Sequence, residues 1–139
     1  MQRLFLIVTL LLLSTPSHAY EGDPEQQLKE FFHDVQKAEY NSLFKLFSNN
    51  PMMKGQKQQI LALQQQLTVY ESRFGKVITI EKIHEEHIST NLVRFVILSE
   101  RQYHPIVWEL YFYKAPKLGW IVSQATFNES FNLLNSYLK

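Results

Sequence analysis

The sequence predicts an α+β protein: three helices, a four-stranded antiparallel meander and a short closing helix. Two observations carry this. Up to Gly75 the apolar residues recur three or four positions apart, as on one face of a helix. Beyond Gly75 the period drops to two, as along a half-buried strand.

The chain opens on a segment with a different purpose. Arg3 gives a positive start, Leu4–Leu13 is apolar except for Thr9, and Ser14-Thr15-Pro16 breaks the run. Ser17 and Ala19 place small residues at the −3 and −1 positions of a cleavage site. Met1–Ala19 therefore reads as a secretory signal peptide cut after Ala19. Residues 20–139 are expected to form one domain that works in the periplasm or is secreted. The apolar run is shorter than the roughly 20 residues a membrane span needs, so no stable insertion is expected after cleavage.

The first helix is expected from Asp23-Pro24-Glu25-Gln26. Asp23 is a capping residue and Pro24 suits the first helical position. Leu28, Phe31, Phe32, Val35 and Ala38 follow on one face. A second helix is expected over Ser42–Phe47, ended by the turn chemistry of Ser48-Asn49-Asn50-Pro51. The third carries Ile60, Leu63, Leu67, Tyr70 and Phe74 on a single stripe and stops at Gly75. Its glutamines (Gln56, Gln58, Gln59, Gln64, Gln65, Gln66) read as a solvated face.

Four strands follow. Val77–Ile83 is rich in β-branched residues, and Leu92–Leu98 is apolar around Arg94. Ile106–Tyr113 alternates, with Ile106, Trp108, Leu110 and Phe112 on the face expected to meet the helices. Val107, Glu109, Tyr111 and Tyr113 lie opposite. Ala115-Pro116-Lys117-Leu118-Gly119 reads as a hairpin connection into Trp120–Phe127. Asn128 is then placed to cap a helix carrying Phe131, Leu134 and Leu138.

Composition excludes several function classes. Removing Arg3 with the leader leaves thirteen Lys and Arg against thirteen Asp and Glu, so no basic stripe is left for nucleic acid. There are no cysteines, so neither disulfides nor an acylated cysteine are in play. With four glycines, phosphate-cradling loops have little material, and no nucleophile elbow or dinucleotide fingerprint occurs. Asn128-Glu129-Ser130 matches a glycosylation sequon, which would carry no glycan in a bacterial protein.

Tyr111-Phe112-Tyr113-Lys114, a Pro/Gly turn, and Gly119-Trp120-Ile121-Val122, set after helices, resemble the ending of small secreted members of the nuclear-transport-factor-2-like superfamily. The resemblance covers roughly Pro24–Phe127. It implies a curved sheet wrapped around helices, a cystatin-like or ketosteroid-isomerase-like cone, with a conical pocket. The superfamily includes isomerases, dehydratases and epoxide hydrolases beside non-catalytic binding modules, so the fold leaves the chemistry open. Its enzymes place Asp, His or Tyr inside the cone. No such set maps onto this sequence residue by residue.

The candidate sites are few. Tyr40, Tyr70, Trp108, Phe112 and Trp120 are expected to line the pocket or its mouth, with Glu39 and Tyr103 nearby. Arg94 and Glu109, on strands expected to be neighbours, read as a cross-strand ion pair. Glu109 shares its parity with Tyr111 and Tyr113, which places the four on the outer face, as a surface for a protein partner or a second copy. The alternative puts Arg94 and Glu109 in the pocket as an acid- or anion-handling pair. His84-Glu85-Glu86-His87 departs from the zincin pattern, because its histidines are three apart, and reads as a polar bend between strands. No metal or cofactor is expected.

The reading is of a secreted or periplasmic non-catalytic binding or interaction module, holding a small apolar ligand or a protein partner. The alternative is a small isomerase, dehydratase or hydrolase on the same fold.

Overall fold

The computed structural model describes residues 19–135. The leader up to residue 18 and Leu138 lie outside the described residues. Helix α1 (Pro24–Gln36) starts as the sequence predicts: the Asp23 carboxylate accepts the Gln26 N–H at 2.8 Å and Pro24 fills the first turn. It buries Leu28, Phe31, Phe32 and Val35. Ala38 does not continue that face. The N–H groups of Lys37, Ala38 and Glu39 all bond back to Asp34 or Val35, closing the helix, and Ala38 is exposed at φ +59°. Helix α2 spans Ser42–Phe47 and a 3-10 turn spans Pro51–Met53.

Helix α3 (Lys57–Phe74) buries Ile60, Leu67 and Tyr70, with Leu63 and Phe74 packed partly buried against the core. It ends at Gly75, whose φ of +85° favours glycine. A Cβ there would lie 2.8 Å from Cβ of Gln102. This close approach lets Tyr103 N–H reach the Phe74 carbonyl and Arg101 reach that of Gly75, tying the helix end to the sheet.

The strands are β1 (Val77–Ser89), β2 (Leu92–Arg101), β3 (Ile106–Ala115) and β4 (Gly119–Asn128). They form one antiparallel sheet in the order β1-β2-β3-β4. Register sets the faces. Ile97 opposes Trp108, which opposes Phe127, and Phe95 opposes Leu110. These residues join the helices in one buried cluster, with Phe31 and Phe32 edge-on to Trp108 at 5.6 and 5.3 Å. Full burial of each large side chain contributes roughly 1.5–3 kcal/mol.

Two expectations need correction. His84-Glu85-Glu86-His87 is not a bend between strands: β1 runs through it to Ser89, paired with Val93–Val96 of β2. An apolar partner strand holds these polar residues in the sheet. Of the expected closing helix, the described residues form a 3-10 turn over Asn132–Leu134, with Phe131 exposed. The Asn128 side chain accepts from Ser130 N–H, making a tight turn instead of a helix cap.

The two edges of the sheet are finished differently. On β4, the Gln27 amide of α1 donates to the Trp120 carbonyl at 2.9 Å, and the Asn50 amide to the Val122 carbonyl at 2.8 Å. Both side chains are buried. β1 has three register irregularities, between Val77 and Thr79, Lys82 and His84, and His87 and Ser89. They leave Thr79–Lys82 as an uninterrupted run. Among the described residues, no hydrogen bond from outside the sheet reaches the backbone of that run.

Candidate functional site

A groove of about 820 Å³ runs between α1 and β1. Helical spacing brings Leu28, Lys29, Phe32 and His33 to one wall, and alternation brings Ile80 and Lys82 of β1 to the other. Ile97 of β2 lies beneath them and is buried. The far end reaches Ala19, Tyr20, Asp34 and Lys45. The bottom is thus aliphatic and aromatic, and the rim is charged.

Most of the rim charge is compensated internally. Lys82 Nζ lies 3.0 Å from Glu25 and 2.8 Å from Glu85. Lys45 Nζ lies 3.2 Å from Asp34 and 4.6 Å from the centre of the Tyr20 ring. The Tyr20 hydroxyl donates to the same Asp34 carboxylate. Burial, reinforced by that carboxylate, pushes the Tyr20 phenol far above its ordinary range. Hydrogen bonds that Lys82 donates to Glu85 and Glu25 raise Lys82, and the one it donates to Glu85 lowers Glu85. Away from the groove, burial and the hydrogen bond to Glu71 push Tyr40 up to about 12. The shifts of Tyr20, Tyr40, Lys82 and Glu85 all lead away from neutrality.

The aromatic residues assigned from sequence to a pocket lie elsewhere. Trp108 and Phe112 are fully buried in the core. Tyr70 joins Trp108 through Phe127, at 5.9 and 4.6 Å. Trp120 is half-buried on the same sheet face. Tyr40 donates to Glu71 at 2.7 Å and borders a separate depression of about 260 Å³. None of the five lines the α1–β1 groove. Glu39 and Tyr103 are exposed.

The outer face is better assembled. Arg94 Nε and Nη2 reach Glu109 Oε2 at 2.8 and 2.5 Å, and Arg94 Nη1 reaches Glu86 of β1 at 3.4 Å. Tyr111 directly opposes Arg94. The apolar patch expected there is smaller than alternation suggests. Val107 and Val96 are fully buried, Tyr111 is half-buried, and Tyr113 is exposed. The turn Asn132–Leu134 packs against β3.

The histidine cluster divides between the faces. His84 and Glu86 share the outer parity, 3.9 Å apart, whereas His87 and Glu85 share the other at 3.0 Å. Among the described residues, no group of three or more His, Asp or Glu side chains is arranged to hold a metal ion. No helix among them is long and apolar enough to cross a membrane.

Sequence reasoning missed the groove and the two edge-capping amides. Gln27 carried a signal, since it lies one helical turn before Phe31 and two before Val35. Asn50 carried none beyond its turn chemistry. No family model matches this chain, and no curated protein and no solved structure matches it either.

Proposed function

We propose that this protein is a non-catalytic binding module acting in the periplasm or outside the cell, and that its working surface is the α1–β1 groove. The observation that carries this is the contrast between a filled interior and an open groove. Trp108 and Phe112 occupy the core space in which the cone reading puts a ligand. The half-buried Ile80 instead offers apolar surface above a floor formed by the buried Leu28, Phe32 and Ile97, beneath a rim whose charges are mostly paired. Such a mixture of apolar bottom and few polar groups is what ligand and partner clefts present. The helices-then-meander order supports a curved, cone-like sheet of the nuclear-transport-factor-2-like kind. The buried Tyr20, first after the proposed cut, supports a folded part that starts at the end of the leader.

Native mass spectrometry of the protein recovered after expression of the full chain tests this reading. The expected result is an adduct or bound partner that is lost in Ile80→Glu, with the variant's melting curve otherwise retained. A bare monomer for both proteins would remove the groove's claim.

A further inference from the structure

We infer that the occupant of the groove is an extended, uncharged peptide segment of another protein, which adds as a fifth strand to the free edge of β1. This rests on the groove being the working surface and names what it binds. β1 lies at the edge of the sheet, and its run Thr79–Lys82 has no backbone partner on the outer side among the described residues. Alternate residues of such a run present unpaired N–H and C=O groups, which pair with any strand laid alongside. The same run supplies Ile80 and Lys82 to the groove wall. An added strand would therefore pair its backbone with β1 while every second side chain turns towards Ile80 and the groove floor that covers the buried Phe32 and Ile97.

Charge fixes the rest of the occupant's character. Along the β1 wall the groove's charge is that of Lys82, which is held by Glu25 and Glu85, so a charged side chain laid against this wall would have to break existing pairs. An uncharged strand leaves them intact. The bulges bounding the run, on either side of Thr79–Lys82, limit pairing to about four residues, which suits a short segment better than a long sheet-to-sheet seam.

The test selects peptides from a random phage-displayed library on the protein recovered from full-chain expression. The best binder is then resynthesised with backbone N-methyl groups at odd or at even positions. The expected result is an apolar, alternating consensus whose affinity falls at least tenfold in one N-methylated series and little in the other. Amides of Thr79–Lys82 should gain hydrogen-exchange protection on binding. Equal tolerance of both series would overturn strand addition while leaving the groove as a binding site. Absence of any selected binder would remove both readings. Self-association abolished by Ile80→Glu, with no peptide bound, would make a second copy the occupant and overturn the partner assignment.

Discussion

β4 and β1 are the two edges of one sheet, and they solve the same problem in opposite ways. On β4, two carbonyls receive buried amide donors from Gln27 and Asn50, so the stretch Trp120–Val122 of that edge is closed within the fold. On β1, bulges and the charged residues Glu81, Lys82, Glu85 and Glu86 discourage long pairing, yet among the described residues the outer side of the Thr79–Lys82 backbone stays unmatched. Natural sheets use both devices against edge-to-edge association. The difference is that closure by a buried side chain is permanent, whereas a bulged and charged edge remains selectively usable. This is why the groove beside β1 is assigned the function and the face of β4 is not.

The largest effect is expected from opening the closed edge. Gln27→Leu and Asn50→Ala each leave an edge carbonyl without its donor, half-buried at Trp120 and buried at Val122, at a cost of about 2 kcal/mol apiece. Chemical denaturation should show both losses, and the double variant should associate more strongly than the wild type in sedimentation analysis. Unchanged association would mean that Gln27 and Asn50 do no more than hold the helices.

A substitution away from both edges separates stability from edge exposure. Glu109→Gln removes the main partner of the largely buried Arg94, at a cost of about 2 kcal/mol, eased by Glu86 nearby. The double change Arg94→Met with Glu109→Leu should recover most of that loss. Neither variant should alter association, which distinguishes general destabilisation from an opened edge.

The smallest effect belongs to β1 itself. Lys82→Met removes two exposed ion pairs, to Glu25 and Glu85, and should cost less than about 1 kcal/mol at neutral pH. The pH dependence follows from the shifts. Glu85 is held below its ordinary 4.5, so its contribution is present above that value and fades as pH falls through the lowered one. Lys82 is raised above 10.5, so its contribution holds below that value and is lost as pH rises further. Wild type and variant should therefore converge in acid and differ most between about pH 5 and 10 in thermal melts. A deficit that persists in acid would show that the Lys82 stem, and not its charge, supports the edge.

Much of this fold was legible because burial leaves a period. The start of α1, the limits of α2, and the face shared by Trp108, Leu110 and Phe112 all follow from spacing and capping. Where burial is missing, the period is missing too. His84–His87 carries no alternation because both faces of that edge strand are largely solvated, and only its partner Val93–Val96 shows that it pairs. The site was less legible than the fold. A groove between a helix and an edge strand is made by elements distant in sequence, and of the aromatic residues assigned to a pocket, Trp108 and Phe112 are core packing. Ala38 shows the limit of extrapolating a stripe, since the chain turned before the face could continue.

The Gln27 and Asn50 contacts also bear on time. The β hairpins join neighbours along the chain, whereas these contacts join residues 93 and 72 positions apart. Closing such long loops is entropically costly and comes after local pairing. The meander thus assembles first with both borders exposed, and the helices seal one of them as they dock. A chain that emerges helices first has those seals synthesised before the strands they cover, which shortens the interval in which the β4 border is open to strangers.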